Sequence, residues 1–422
     1  DAVRISGNVH SVGNINITNT GDKGVRIAST GRVNGDNNIN INNTVTKTET
    51  SRTEGAVNVE GIVNANGNLT VNSTNGNLSL GHNQTANNLT AGKNIDLTVV
   101  DGSILNNGVE KTLINAGGNL TMDVTNGTIG EPVRQTGLTN STGIGPKAQG
   151  ARDFTKSINA KVNGNVKAAT KDAAKTGNDL VINYAAIDSN MNIDTIKADG
   201  RVILTVDDDF GNSNTPQGKH KYSMVNANKN GGTNIEGRGI SLIADNNIGT
   251  KDNMITFVQT DADNYKMDAL ANNSIYLKEN SFNAYGRDKE VTKNTVSTMI
   301  AREGDMYVEF AGNTKIDNIT AEGDMTVITR GKNLEIENLG HINDKSVTPA
   351  DYFGPRHDGY EFDGRNDGEF KSDVLPNSVT VKALDINHNI RPTKELVDGN
   401  HEAWANSTVR IKNAVIDNGK MN

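Results

Sequence analysis

A short phrase recurs along the chain: a glycine, a polar residue, and then apolar and polar residues in alternation. The clearest copies have the pattern Gly-polar-apolar-polar-apolar and occupy residues 67–71, 76–80, 118–122, 304–308 and 323–327. Alternation with a period of two predicts a β-strand that buries one face. The phrase therefore predicts many short strands, each of which begins just after a tight turn.

The spacing between copies is of two kinds. Short spacings of 9 residues predict neighbouring strands around a corner, and longer spacings of 19 to 25 residues predict one full turn of a solenoid. The short pairs are Leu69 with Leu78 and Met325 with Leu334, and the long pairs are Met306 with Met325, Leu180 with Val202, and Ile95 with Leu120.

Composition selects among the folds that this pattern allows. The 422 residues include 63 Asn and 44 Gly but only 7 Pro. A β-sandwich would show paired hairpin loops, and a β-propeller would repeat every 40 residues or so; neither pattern is visible. In a parallel β-helix, stacked turns align like side chains about 4.8 Å apart, and Asn at the corners can bond to the turns above and below and adopt left-handed backbone angles. We therefore predict an all-β, right-handed parallel β-helix (β-solenoid): a rod of about 17 to 21 turns with extruded loops.

The rhythm of the phrase divides the chain into five segments. We expect regular β-helix turns over residues 1–131, a loop or short-helix excursion over 132–176, further β-helix over 177–339, an aromatic and acidic loop over 340–376, and continuing β-helix over 377–422. Residues 165–175 carry the helix-tolerant part of the first excursion. The second contains five aromatic residues, Tyr352, Phe353, Tyr360, Phe362 and Phe370.

Charge and residue usage exclude several classes of function. The absence of cysteine excludes a disulfide framework, a thiolate zinc site and a cysteine nucleophile. A formal net charge of −8 and a pI near 5.5, with charges of both signs scattered along the chain, disfavour a nucleic-acid partner. Since no apolar run approaches about 20 residues, we expect no membrane span. The chain opens at Asp1 without a signal segment, so we expect it to be part of a longer polypeptide or a polymerising subunit that associates end to end.

The repeated phrases resemble the large filamentous exoproteins of Gram-negative bacteria: the filamentous haemagglutinin class, in particular leukotoxin-type filamentous adhesins. The residues that carry the likeness are the Gly-Asn-Leu-Thr copies, Asn126-Gly-Thr-Ile-Gly130, and the segments 91–97, 245–249, 253–257 and 273–279. The resemblance implies a secreted or surface-displayed stalk, extracellular or on the outer cell surface, exported by type V or two-partner secretion through an outer-membrane transporter. It implies cell adhesion through a host or neighbouring-cell receptor or glycan, with no catalysis and no cofactor.

A polysaccharide-degrading β-helix enzyme is the alternative from a different class. Its carboxylates and Arg-x-Lys element have counterparts in Asp194, Asp207, Asp208, Arg410 and Lys412, but the Gly-His-Gly element is absent and His220 stands in Gly-Lys-His instead. Asn-x-Asp triplets arise by chance in so Asn-rich a chain, and Arg410 and Lys412 can be two outward residues of one strand. A cytotoxic exoprotein is a third reading, which the resemblance permits and no residue supports.

Two acidic segments could offer oxygens to a structural Ca²⁺, which needs six to eight of them. They are Asp207 to Asp209 with Asn212 and Asn214, and the group Asp358, Asp363 and Asp367. Neither follows an EF-hand or nonapeptide pattern. His401-Glu402 begins like a zinc helix, but position 405 is Ala, so that motif fails.

The residues that we consider for recognition are aromatic. A candidate recognition loop is formed by Tyr352, Phe353, Tyr360, Phe362 and Phe370, because exposed rings among Asp, Asn and Arg suit sugar or protein binding. The competing interpretation is that these rings fold back and cover the side of the rod, and Trp404 is interpreted as packing.

Overall fold

The computed structural model describes residues 2–46, 56–109, 111–131, 156–172, 178–184, 189–206, 220–280, 293–331, 333–340, 375–383, 408–414 and 416. Within these ranges all regular structure is β, and the named strands pair in parallel. The chain forms two compact units, with β1 to β20 in the first and β21 to β33 in the second. The predicted all-β parallel β-helix is confirmed.

The strands of the first unit are short, and most of them alternate between buried and more exposed residues. Leu78–Leu80, Leu180–Asn183 and Val202–Val206 are buried at every residue. They are β1 (Val3–Ile5), β2 (Asn8–Ser11), β3 (Ile15–Thr20), β4 (Val25–Ile27), β5 (Arg32–Gly35), β6 (Ile39–Thr44), β7 (Val57–Val59), β8 (Ile62–Ala65), β9 (Leu69–Thr74), β10 (Leu78–Leu80), β11 (Leu89–Ala91), β12 (Ile95–Val100), β13 (Ile104–Asn106), β14 (Ile114–Ala116), β15 (Leu120–Thr125), β16 (Ile158–Val162), β17 (Asn165–Lys171), β18 (Leu180–Asn183), β19 (Met191–Ala198) and β20 (Val202–Val206).

Each early turn of the first unit contributes one strand to each of three sheets. The first sheet runs β1-β4-β7-β10-β13, the second β2-β5-β8-β11-β14-β16-β18-β20, and the third β3-β6-β9-β12-β15-β17-β19. Side chains of like kind therefore stack from turn to turn. One buried column in the third sheet is Ile15, Ile39, Leu69, Ile95, Leu120, Val166 and Ile193.

The predicted spacings correspond to real neighbours. Ile95 pairs with Leu120, and Leu180 with Val202, each one full turn apart. Leu69 and Leu78 lie on β9 and β10, which are consecutive strands in different sheets. The two kinds of spacing thus separate steps around a turn from steps along the stack, as the sequence predicted.

The prediction of a short helix within residues 165–175 is wrong for Asn165–Lys171, which forms strand β17. Val166, Ala168 and Thr170 of this strand are buried, while Lys167 and Lys171 are exposed. Alanine and lysine favour helices in isolation, but Val166 pairs with Leu120 of the preceding turn and Ala168 with Met122. Tertiary pairing therefore overrides local propensity here.

The second unit contains thirteen named strands. They are β21 (Met224–Asn226), β22 (Ile235–Gly237), β23 (Ile240–Ala244), β24 (Ile255–Gln259), β25 (Met267–Ala271), β26 (Ile275–Glu279), β27 (Lys293–Ala301), β28 (Met306–Phe310), β29 (Asn313–Ala321), β30 (Asp324–Thr329), β31 (Asn333–Leu339), β32 (Ser378–Ala383) and β33 (Thr408–Ala414).

Turns of the second unit use two sheets. Odd-numbered strands pair in the order β23-β25-β27-β29-β31-β33, and even-numbered strands in the order β22-β24-β26-β28-β30-β32. Met306 and Met325, 19 residues apart, are direct partners, and Leu334 follows on β31. Phe257 and Phe310 fill the interior, with ring centroids 6.0 Å apart in an edge-to-face arrangement.

No helix in the described part of the chain is long and apolar enough to cross a membrane. The described strands β32 and β33 lie within the predicted segment 377–422 and belong to the parallel sheets. Most of the predicted excursions 132–176 and 340–376 lies outside the described residues.

Candidate functional site

The corner that precedes each third-sheet strand carries a continuous polar ladder in the first unit. The side-chain Oδ1 of Asn94 accepts the backbone N–H of Asn119 at 2.9 Å, and Asn119 Oδ1 accepts that of Asn165 at 2.9 Å. The same contact joins successive turns from Asn14 through Asn38 and Asn68 to Asn94, at 2.8 to 3.2 Å. We call this column the corner ladder; it satisfies one amide per turn that the sheet leaves unpaired.

The glycine of the repeated phrase makes room for the ladder. A Cβ atom at Gly118 would lie 2.5 Å from Asn94 Oδ1, and one at Gly164 would lie 2.4 Å from Asn119 Oδ1. A Cβ atom at these two glycines would push the oxygen away from the next turn. Where Asn37 and Lys93 occupy the same position, the ladder bonds that follow are longer, at 3.2 Å, than the 2.8 to 2.9 Å found after glycine. The two residues of the Gly-Asn pair therefore act together: the glycine leaves space for the oxygen of the preceding turn, and the backbone N–H of the asparagine bonds to that oxygen.

The second unit keeps the ladder with other oxygens. The backbone N–H of Ser274 donates to Asn247 Oδ1 at 3.0 Å, and that of Asp305 donates to Ser274 Oγ at 3.0 Å. The backbone N–H of Asp324 donates to Asp305 Oδ1 at 2.9 Å. The ladder thus requires an acceptor oxygen of short reach and not asparagine as such.

Other asparagines are used differently. Asn75, Asp101 and Asn126 have φ of 60°, 55° and 58° and turn the chain after the third-sheet strands of successive turns. Asn126 Nδ2 donates to Asp101 Oδ1 at 2.7 Å. The predicted left-handed Asn at corners is confirmed at Asn75 and Asn126, and Asp101 takes the same conformation between them.

In the second unit, the corner residues that directly follow four odd-numbered strands form a column in which three of the four residues are charged. We call it the charged column. Ala244, Ala271, Ala301 and Ala321 are paired in register on successive odd-numbered strands, and each is buried. The residues that follow them are Asp245, Asn272, Arg302 and Glu322. In the first unit the residues after Ala65, Ala91 and Ala116, which are likewise in register, are Asn66, Gly92 and Gly117.

His220 is packed into this charged column. Its side chain is 2% exposed, and its Nδ1 lies 2.7 Å from Asp245 Oδ1. The other oxygen of Asp245 accepts the backbone N–H groups of Lys221 at 2.8 Å and Tyr222 at 3.2 Å. His220 Nδ1 thus faces a carboxyl group whose other oxygen is held in place by two backbone N–H groups.

The other ring nitrogen of His220 faces acid. Its Nε2 lies 3.7 Å from Glu303 Oε1 and is buried without a hydrogen bond. Asn272 Nδ2 lies 3.2 Å from Nδ1, and Asn272 Oδ1 accepts a hydrogen bond from Arg302 Nη1 at 3.0 Å.

Glu322 lies on the next turn, where the charges of Glu303 and Arg302 act on its carboxyl group. Partial burial raises its pKa, the negative charge of Glu303 raises it further, and Arg302 lowers it. His220, Asp245, Arg302, Glu303 and Glu322 therefore lie at one corner of successive turns. We define these five residues as the His220 corner.

The catalytic candidates that the sequence offered lie at other places in the fold. Asp194 is the extra residue of a bulge on β19, since Ile193 pairs with Val166 and Thr195 with Lys167. Arg410 and Lys412 are exposed on β33 in the second unit, two residues apart on one strand. They line a cleft of about 400 Å³ with Lys315, Glu335, Ile336 and Glu337, in which Lys412 pairs with Glu337.

Several predicted site residues lie outside the described residues. These are the acidic positions Asp207, Asp208, Asp209, Asn212, Asn214, Asp358, Asp363 and Asp367, the residues His401, Glu402 and Trp404, and the candidate recognition loop Tyr352, Phe353, Tyr360, Phe362 and Phe370. Their roles stay predictions.

Sequence reasoning missed the His220 corner, although one signal was present. Asp245 opens the Asp-Asn-Asn-Ile-Gly segment, and a charged residue stands where the first unit has Asn or Gly. Among the residues that the structure describes, no group of three or more His, Asp or Glu side chains already has metal-binding geometry. No protein-family model, curated protein or solved structure matches this chain.

Proposed function

We propose that this chain is a structural and adhesive stalk segment of a secreted or surface-displayed bacterial filamentous protein, with no catalysis of its own. The observation that supports this proposal is the corner ladder, which joins six successive turns of the first unit by one repeated contact. Such an arrangement resists bending and unravelling because each turn bonds the turns on both sides.

The adhesive part of the proposal rests on the resemblance to filamentous exoproteins. In that role the stacked turns act as the spacer, and attachment to a receptor or glycan belongs to segments that leave the turns. Long Asn-rich corners suit an extracellular stalk, because their bonds are internal and their outward faces carry Thr, Lys and Glu.

The experiment is immunogold electron microscopy of producing cells with an antibody raised against the chain. We expect gold particles along extracellular fibres, and fewer of them after mild shearing. Labelling confined to the cell interior would contradict the proposal. A functional arm measures attachment of coated beads to epithelial and bacterial cells, with beads coated with heat-unfolded chain as the control.

A further inference from the structure

The loop that follows β13 exposes an Asn-Gly pair at its tip. Asn106 and Val109, both buried, fix the two ends of this loop. The backbone N–H of Val109 donates to Asn106 Oδ1 at 2.8 Å, and Asn106 Nδ2 donates to the carbonyl oxygen of Val109 at 2.7 Å. Asn107 and Gly108 lie between these ends, and both are exposed. The pair therefore projects into solvent from two fixed positions.

The surroundings of Gly108 leave its backbone nitrogen open to attack on a neighbour. Its φ is 85°, and a Cβ atom built on it would have no atom within 4 Å. Among the residues that the structure describes, none accepts a hydrogen bond from the Gly108 N–H. Its carbonyl oxygen accepts a bond from Gln84 Nε2 at 3.0 Å, and the N–H of Asn107 donates to the carbonyl oxygen of Leu80 at 2.8 Å. The loop is thus held around Gly108, while the Gly108 nitrogen itself is not.

We propose that Asn107 is a site of spontaneous deamidation, in which the backbone nitrogen of Gly108 attacks the side-chain amide carbon of Asn107. The Gly108 nitrogen gives up its proton to solvent base and forms a bond to Asn107 Cγ, and the side-chain nitrogen leaves as ammonia. The product is a cyclic succinimide in which the Gly108 nitrogen is bonded to two carbonyl carbons of residue 107.

Water then opens the ring in either of two ways. Cleavage of the bond to Cγ gives aspartate, and cleavage of the bond to the α-carbonyl carbon gives isoaspartate, whose main chain runs through Cγ. The net reaction consumes one water molecule, releases one ammonia molecule and involves no oxidation or reduction. Glycine favours the first step, because it has no Cβ to hinder the approach and adopts positive φ without strain.

Other Asn-Gly pairs of the stack have the same sequence but a bonded glycine. In the pairs at residues 66–67 and 163–164, the glycine N–H donates to the carbonyl oxygens of Asn37 at 3.0 Å and Gly118 at 2.9 Å, respectively. Each of these bonds joins two turns, and the attack would have to break it. Deamidation at these pairs therefore requires local opening of the stack.

The remaining pairs of the first unit are protected in other ways. Asn75 Nδ2 donates to the carbonyl oxygen of Val45 at 2.8 Å, and Asn126 Nδ2 donates to Asp101 Oδ1 at 2.7 Å. The glycines that follow these two asparagines are buried, and so is Gly35 within β5. The bonds hold the leaving amide group in place, and burial keeps solvent base away from the attacking nitrogen.

The pair at residues 230–231 in the second unit is the nearest competitor. Both residues are exposed, and Gly231 has φ of 70° with no atom within 4 Å of an added Cβ. Asn230, however, interacts with another residue. We therefore expect this pair to react more slowly than Asn107.

The reaction should leave the stacked turns intact. The side chain of Asn107 is exposed, and the bonds between Asn106 and Val109 do not involve it. Conversion to aspartate or isoaspartate adds a negative charge at the tip of the loop.

The test is incubation of the folded 422-residue chain at pH 8, followed by peptide mapping with mass spectrometry and electron-transfer fragmentation, which distinguishes isoaspartate from aspartate. We expect residue 107 to convert more than about 10-fold faster than residues 66, 126 and 163, because those sites must first open. In urea the four sites should react at similar rates, since each is followed by glycine. At pH 6 the conversion of residue 107 should be slower, because less of the Gly108 amide is deprotonated.

Two variants identify the reacting groups. Asn107→Gln should abolish conversion at the tip, because a glutamine side chain is one carbon longer and forms the corresponding ring far less readily. Gly108→Ala should slow it, and a thermal scan should show both variants folded. Equal rates at the four sites in the folded chain, or an Asn107 that stays intact while the unfolded chain reacts, would overturn the proposal. Conversion at an unchanged rate in Gly108→Ala or at pH 6 would overturn the attack by the Gly108 nitrogen.

Discussion

A Cβ atom at Gly67 would lie 2.4 Å from Oδ1 of Asn38, the oxygen that accepts the backbone N–H of Asn68. One glycine therefore protects a bond between two turns of the stack, although it takes no part in that bond. The same relation holds between Gly323 and Asp305, where the separation would be 2.2 Å.

Replacement of Gly67 by Ala should weaken the first unit. The methyl group pushes Asn38 Oδ1 away and leaves the Asn68 N–H without its acceptor, which costs about 1–3 kcal/mol. We expect faster hydrogen exchange at the Asn68 amide and a lower urea midpoint. Gly7→Ala is the control, since no atom lies within 4 Å of its added Cβ; equal effects of the two substitutions would contradict the steric explanation.

The ladder should accept any short oxygen acceptor. Asn94→Ala removes the acceptor of the Asn119 N–H and should cost about 1 kcal/mol. Asn94→Ser should recover much of that loss, because Ser274 serves in the second unit. Amide exchange at Asn119 measures the bond directly, with Thr98→Ala on the exposed face of β12 as the control. A Ser variant as weak as the Ala variant would refute this view.

Glu279 should make stability depend on pH. Burial raises the pKa of the Glu279 carboxyl group to about 7. The backbone N–H of Ala311 and Asn294 Nδ2 donate hydrogen bonds to this group at 2.5 and 2.7 Å and oppose the increase, because they favour the anion. The folded chain therefore holds a proton that the unfolded chain releases near pH 4.5. The resulting stability, about 3 kcal/mol, is fully present below pH 4.5 and is lost as pH rises through 7.

The measurement is the urea midpoint of the second unit from pH 5 to pH 8. Glu279→Gln should reduce the fall of the urea midpoint with rising pH, because an amide stays neutral. Its N–H can also donate to Asn294 Oδ1, which is buried without a hydrogen-bond partner in the parent chain. Glu335→Gln should keep the parent slope. An unchanged slope in Glu279→Gln would show that other groups cause the pH dependence.

The pair of Asp179 and Arg201 should contribute more than surface ion pairs. Arg201 donates through Nη2 at 2.7 Å and Nε at 3.1 Å to the two carboxylate oxygens, and its backbone N–H bonds Asp179 at 2.8 Å. Both side chains are at most 16% exposed. Asp179→Ala leaves a guanidinium largely buried without its partner and should cost about 3 kcal/mol in urea unfolding.

A matched surface pair calibrates that number. Asp123 and Lys171 lie on the same unit at 3.4 Å, with side chains about half exposed. Asp123→Ala should cost at most about 1 kcal/mol. Similar losses for the two Asp variants would mean that burial does not strengthen the Asp179 pair.

The stacked fold was readable from the sequence because its signal is periodic. Leu69, Leu120, Met306 and Met325 occupy inward positions of strands that begin just after a corner, as their place in the repeated phrase predicted. Asn165–Lys171 was misread since Ala and Lys have strong local helix preference, and only pairing with β15 decides its structure.

The His220 corner could not be predicted in the same way. Asp245, Glu303 and Glu322 stand at irregular sequence distances and lie at the same corner only because the odd-numbered strands are in register. His220 lies outside every repeated phrase. Periodicity predicts which residues share a column, but not which side chain from a connecting segment is packed against it.

Successive ladder residues are separated by 24, 30, 26, 25 and 46 positions in the first unit. In the second unit separations of 27, 31 and 19 occur. The contact between neighbours is nevertheless the same, so the number of residues in a turn is independent of how that turn is joined to the next. In-frame insertions or deletions between the codons of two successive ladder residues therefore need no compensating changes elsewhere in the gene. Foreign epitopes grafted there would be displayed at regular intervals along an unaltered spine.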